Sequence, residues 1–93
     1  MSYGPDDKIV RDAPATLAVQ LAGILRARIE RGDWQPDRAV TGEVPLSEQY
    51  GVSRPTVRRA IEALVVGGWL YTVPGRGTYV SNRAGEGDDQ GDV

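Results

Sequence analysis

Three helices followed by a small antiparallel β-hairpin, a mainly α domain of the α+β class, is the fold that the sequence predicts. Apolar residues recur at helical spacing in two stretches, 17–29 and 57–65, and the short segment between them carries Pro45 and ends on Gly51. After Gly67 and Gly68 the period switches from helical to alternating, around the turn text PGRG. At 93 residues the chain is one small domain with a modest core, too small for a large substrate cavity.

Residues 1–13 are polar, hold Gly4 and Pro5 and show no period, which predicts a flexible N-terminal arm. From Pro14 the pattern changes. Leu17, Leu21, Ile24, Leu25 and Ile29 form one stripe of an amphipathic helix, with Arg26, Arg28 and Arg31 in its last turns and Gly32 past its end. The following DWQPDRAV, 33–40, reads as a connector. Pro36 fixes a turn, Asp37 tolerates unusual backbone angles, Trp34 has the bulk to cover the end of the first helix, and a short strand fits near 38–40. Pro45 is tolerated only in a first helical turn, so a second, short helix runs from Glu43 or Val44 to Tyr50.

Gly51 suits a helix end and a tight turn, and Ser53 is a good N-cap for a third helix over 53–67. Pro55 falls in its first turn, where a missing N–H has no intrahelical partner to lose. Val57, Ala60, Ile61, Leu64 and Val65 share the inward face, and Pro55, Arg58, Arg59 and Glu62 face outward. WLYTV (69–73) and TYVS (78–81) are rich in β-branched and aromatic residues and pair across PGRG, with Trp69, Tyr71 and Val73 on one face and Leu70 and Thr72 on the other. Residues 82–93, NRAGEGDDQGDV, hold nothing apolar worth burying and predict an acidic disordered tail. The folded domain is therefore expected over 14–81.

Composition narrows the function. The chain has neither cysteine nor histidine, which excludes disulfides, thiolate catalysis and cysteine-based zinc sites and removes the commonest metal ligand and general base. Ser47 and Ser53 have no histidine or lysine partner in the pattern, and the tail acids Asp88, Asp89 and Asp92 sit where no rigid geometry is imposed. No catalytic residue, metal ligand or cofactor site is expected, so the protein is not read as an enzyme. There is no apolar signal region and no stretch near the roughly 18 apolar residues of a membrane span, which predicts a cytoplasmic protein without membrane contact. The net charge is −2 but unevenly spread: residues 51–83 carry +4 and residues 84–93 carry −4. Such segregation matters because exposed charges act over about 8–10 Å at ordinary salt.

Two short helices joined by a glycine-containing turn match a helix-turn-helix, whose second member enters the DNA major groove. The amino end of the third helix offers free N–H groups and the positive end of a dipole, which suits phosphate oxygens. Arg54 leads that helix at the turn, and a cation there is unfavourable unless an external anion meets it. Arg58 and Arg59 project outward, and the planar arginine fork matches guanine O6/N7 and phosphates. Arg76 between Gly75 and Gly77 makes a hairpin tip narrow enough to approach a sugar-phosphate backbone or enter a minor groove. The plainer reading pairs Arg58 with Glu62 at i+4 on a solvated face. Trp34, Trp69, Tyr71 and Tyr79 are expected to anchor core and hairpin rather than to stack on bases, because no run of aromatics forms a platform.

The text of residues 51–80, GVSRPTVRRAIEALVVGGWLYTVPGRGTYV, closely resembles the winged helix-turn-helix of the GntR family of bacterial transcription regulators. That family's usual text runs close to GVSR-x-TVR-x-A-x-x-x-L-x-x-x-G and then G-x-GT-[FY]-V, and GVSR, TVR, Ala60, Leu64, Gly68 and GRGTYV are all in register. Upstream, LRARIERGDWQP is similar to LR-x-x-I-x-x-G-x-[LY]-x-P, so the resemblance covers roughly Leu17 to Val80. It implies DNA contacts by the helix-leading arginine, the threonine two residues on, the arginine of TVR and the wing-tip glycine, which fall on Arg54, Thr56, Arg58 and Gly75. This chain departs from the family where LPSER commonly precedes the second helix: Val40-Thr41-Gly42-Glu43-Val44 puts Val44 in place of an arginine that often touches DNA. Asp37 replaces a usual turn glycine, and Pro55 a contacting polar residue. The family usually carries a large C-terminal domain that binds a small effector and dimerises, whereas this sequence runs 13 residues past Val80.

The expectation is a sequence-specific repressor on double-stranded DNA, with the recognition helix 53–67 in the major groove and the wing 69–81 on the backbone or minor groove. The DNA-binding set is Ser53, Arg54, Thr56, Arg58, Arg59, Gly75, Arg76 and Gly77: base reading by Arg54 and Arg58, phosphate or base contact by Thr56 and Arg59, and groove or backbone contact by the wing tip. The operator is expected to hold a two-fold repeat met by a homodimer, formed on DNA if not before, with no small-molecule effector site in this chain. The alternative from another class is a winged-helix protein-protein interaction module, which the acidic total charge would suit.

Overall fold

Helix α1 spans Leu17–Arg31 and is closed at both ends by the residues the sequence offers for it. Thr16 accepts the Val19 N–H on its hydroxyl at 3.2 Å, and Gly32 ends the helix at φ 92°, where the N–H groups of Gly32 and Asp33 satisfy the carbonyls of Arg28 and Ile29. Glycine takes that left-handed angle without strain, which is why the helix stops there. The stripe behaves as its spacing predicts: Leu21, Ile24, Leu25 and Ile29 are buried.

Helices α2, Glu43–Tyr50, and α3, Arg54–Val66, are joined by a three-residue turn, Gly51-Val52-Ser53. Gly51 at φ 67° lets its own N–H and that of Val52 return to the Ser47 carbonyl. Ser53 then caps α3 by accepting the Thr56 N–H, with Pro55 inside the first turn. In α3, Val57, Ala60 and Leu64 are buried, while Ile61 and Val65 are half-buried at the flank. Leu46 is the single fully buried residue of α2 and, with the partly buried Tyr50, ties that helix to a core shared with Leu21, Leu25, Ile29, Val57, Leu64, Leu70 and Val80.

The structure, a computed structural model, describes residues 3–82, so the acidic tail expected at 82–93 lies beyond Asn82 outside the described residues. Strands β1, Leu70–Val73, and β2, Gly77–Val80, pair antiparallel with Leu70 opposite Val80, Tyr71 opposite Tyr79 and Thr72 opposite Thr78. Leu70 and Val80 enter the core, and the Tyr71 and Tyr79 rings stack on the other face at 5.7 Å between centroids. Trp69 lies before the strand and leaves the predicted alternation: its N–H donates to the Leu64 carbonyl and its ring packs on the core. The PGRG text makes a type II turn, with Pro74 and Gly75 (φ 78°) at the central positions and Arg76 N–H donating to the Val73 carbonyl at 2.9 Å.

In the connector, Asp37 does adopt a left-handed angle, φ 63°, and its carboxylate accepts the Tyr71 hydroxyl at 2.8 Å, which raises the phenol's pKa. The strand expected near 38–40 is reduced to a single bridge, Ala39 to Tyr79, flanked by bonds between Asp37 N–H and the Val80 carbonyl and between Val40 N–H and the Thr78 carbonyl. Too few residues separate the Asp37 turn from the start of α2 for a longer ladder.

Residues 3–13, where no period points to structure, lie along α1. The Tyr3 ring covers Gly23 so closely that a Cβ there would sit 2.3 Å from it. Asp6 accepts from Arg31 at 3.0 Å, Ile9 packs on the core, and Arg11 donates to the Gly51 carbonyl. The central fastening is Gln20, 2% exposed, whose amide accepts the Val10 N–H and donates to the carbonyls of Val10 and Ala15, all at 2.8–2.9 Å. Gln20→Leu keeps the bulk but strands three backbone groups. A loss of about 1–3 kcal/mol is expected, seen in thermal denaturation as a Tm lower by about 4–8 °C per kcal/mol. An unchanged Tm would show that this fastening does not hold the domain.

Candidate nucleic-acid interface

The start of α2, one flank of α3 and the wing border one open side of the domain. Between them runs a cleft of about 730 Å³ lined by Thr41 and Glu43 at the start of α2, Arg58 and Glu62 on α3, and Thr72 and Arg76 on the wing. The inward packing of Val57, Ala60 and Leu64 forces this arrangement, because residues on the opposite side of α3 have nowhere to go but outward. Arg54, Arg58, Arg59 and Arg76 are all exposed.

The expected site residues separate into distinct groups. Arg58 and Arg76, with Gly77, meet on the cleft. Arg54 stands one helical turn before Arg58 on the same flank. Arg59 lies away from the cleft, on the other side of the outward face. Ser53 and Thr56 are engaged with each other at the helix start: Ser53 Oγ accepts the Thr56 N–H and lies 3.0 Å from Thr56 Oγ1, so capping is their visible work. Gly75 and Gly77 have φ 78° and 138° with open space where a Cβ would be, so conformation rather than crowding calls for glycine.

Arg58 does not pair with Glu62. Its Nε donates to Glu43 Oε2 at 2.9 Å, and Arg54 Nε stands 3.7 Å from the other oxygen of the same carboxylate. Periodicity reasoning missed Glu43, since an acidic residue in the first turn of α2 is explained by the helix dipole alone. Its second use depends on how α2 packs against α3.

The arginines of α1 are committed elsewhere. Arg31 and Arg28 both donate to Asp33, and these hydrogen bonds hold the Asp33 carboxyl well below the usual carboxylate range. The Arg28 guanidinium also lies 4.4 Å over the Trp34 ring, and Arg26 lies 4.6 Å over Trp69. Both tryptophans therefore anchor the frame, as their isolation in the sequence suggests. Among the described residues, Arg59 and Arg76 have no side-chain partner and remain as unneutralised positive charge on the open side.

A three-helix core in which α2, a tight turn and α3 form a helix-turn-helix, with a two-stranded wing bordering the same open cleft as α3, defines a winged helix-turn-helix domain. The chain belongs to the GntR family: the family described as "Bacterial regulatory proteins, gntR family" matches residues 17–80. It is similar to the HTH-type transcriptional repressor NagR of Bacillus subtilis (strain 168), 41% identical over 73 residues, and to the mannosyl-D-glycerate transport/metabolism system repressor MngR of Escherichia coli (strain K12), 43% identical over 61 residues. These matches take in 78% and 66% of this chain but only 30% and 25% of the two relatives, which are much longer. Among solved structures, AraR(DBD) in complex with operator ORE1 is similar with a TM-score of 0.66 and 41% identity, over 69% of this chain and 78% of that one. AraR(DBD) in complex with operator ORR3 matches with a TM-score of 0.70 and 32% identity, over 86% of this chain and 96% of that one.

Proposed function

We propose that this chain is a DNA-reading unit of a transcriptional repressor. In this reading α3 lies in the major groove of duplex operator DNA, and the wing reaches the adjacent backbone or minor groove. The observation that carries it is the meeting of Arg58 and Arg76 on one open cleft, with Arg54 one helical turn before Arg58, on a helix whose inner face is fully engaged with the core. Arg54 and Arg58 read base edges. Arg59, Arg76 and the backbone at Gly75 and Gly77 meet phosphates or the groove wall, and Ser53 and Thr56 present the helix start to a phosphate. The repressor names of the relatives and the operator complexes of AraR(DBD) support the same assignment.

One such unit covers one half-site. The operator is proposed to be a two-fold repeat spaced by about one DNA turn, roughly 34–36 Å, and bound by two copies. The unit works in the cytoplasm and without catalysis. Among the described residues no helix is long and apolar enough to cross a membrane.

Salt-dependent gel shift tests the proposal. Neutralised phosphates release counterions, so log affinity should fall with log salt at about −0.9 per phosphate contacted. Arg59→Ala should reduce that slope by about one without changing sequence preference. A salt-independent response would favour the partner-docking alternative.

A further inference from the structure

Both oxygens of the Glu43 carboxylate face arginines of α3: Arg58 is hydrogen-bonded through Nε at 2.9 Å, and Arg54 forms a looser ion pair whose nearest atom, at 3.7 Å, is also Nε. An arginine held by Nε keeps its terminal Nη pair free, and a bidentate fork needs two donors on one edge. Glu43 starts α2 after Gly42, and α2 is itself fastened through Leu46, so the carboxylate is carried by a packed element rather than by a loop. The three side chains are 36–58% exposed, so the cluster stands in the open beside the cleft rather than in the core. Pairs this exposed contribute little to stability, which leaves their geometry as the use to explain.

We propose that Glu43 is a positioning residue that sets Arg54 and Arg58 as a coupled pair, presenting both free guanidinium edges to neighbouring base steps. Four residues of helix advance about 6 Å, close to two base-pair steps of about 3.4 Å each. Drawing both forks to one carboxylate shortens that reach, so the two arginines converge on adjacent steps and their base preferences depend on each other. The negative charge also lowers affinity for a bare phosphate lattice, which favours the correct sequence over random duplex. This inference rests on Arg54 and Arg58 being the base-reading residues.

The test is competition binding of the whole chain to its selected operator, to a panel carrying single base-pair changes, and to random duplex, with Glu43→Gln, Glu43→Asp, Arg54→Ala and Arg58→Ala in parallel. Preference at the two steps levelled by the arginine variants should fall together in Glu43→Gln, by about two- to fivefold each, the range an exposed pair supports. Binding to random duplex should hold or rise, and Tm should stay unchanged. Glu43→Asp keeps the charge but withdraws it by one methylene, so it should lose the preference while retaining the weaker binding to random duplex. A uniform gain in affinity for every duplex with base preferences intact would reduce Glu43 to simple repulsion and overturn the proposal, as would no change at all. If Arg54→Ala and Arg58→Ala themselves leave every preference intact, the reading of the site falls, and this inference with it.

Discussion

Arg58→Ala lowers operator affinity by about 5- to 150-fold, corresponding to about 1–3 kcal/mol, and levels the preference at one base pair. The size follows from what that side chain is arranged to do. Its Nε is held by Glu43, its stem leaves the helix on the cleft side, and its Nη edge is unoccupied among the described residues. A bidentate fork on guanine O6/N7 is the commonest specific contact in a major groove, and a wrong base leaves the fork unpaired at similar cost. Arg58→Lys separates charge from shape: it should keep the salt slope and still lose most of the base preference, because an ammonium is a point charge. Quantitative competition with a panel of single base-pair variants measures both. If Arg58→Ala weakened every duplex by one common factor, Arg58 would be a phosphate contact and base reading would have to be sought elsewhere on α3.

Leu46→Ala should have the largest effect on the fold. A helix of eight residues does not persist in water by itself, and Leu46, 1% exposed, is the one fully buried side chain of α2, with Tyr50 only partly buried beside it. Truncation leaves a cavity at the centre of the shared core, with an expected cost of about 2–5 kcal/mol. A domain of this size is stable by about 5–15 kcal/mol in all, so denaturant or thermal unfolding should show a large fraction of the stability lost. DNA binding should fail in proportion, since α2 carries Glu43 and leads into the turn that orients α3. A loss under 1 kcal/mol would mean that α2 is held by the turn at 51–53 and not by its core contact.

Much of the frame was legible from residue pattern. The stripe of α1, the Gly32 and Gly51 ends, the Ser53 cap and the existence of the hairpin all rest on interactions within a few residues of chain, which the sequence displays directly. The outward direction of Arg58 and Arg59 followed from the same spacing. Harder to read were contacts between groups far apart in the chain. Arg58 had a suitable acid four residues away in Glu62, and helical spacing alone favours that partner. The packing of α2 against α3 brings Glu43, fifteen residues earlier, into better position. Residues 3–13 show no period because they form no regular element. What orders them is a buried glutamine and a glycine on α1, features that a hydrophobic pattern passes over.

The PGRG turn shows the division in one place. Proline followed by glycine favours a type II turn, and the flanking β-branched residues favour a hairpin around it. That the tip stands beside α3, with Arg76 across a cleft from Arg58, depends on Leu70 and Val80 entering the same core as Leu64. Sequence alone determined the elements, their ends and which face of each is apolar, because capping, turn geometry and periodicity act over a few residues. Tertiary packing decided which arginines share a carboxylate, which are consumed by α1 and which stay free for an anion, because charges pair with whatever the burial of the apolar faces brings within reach.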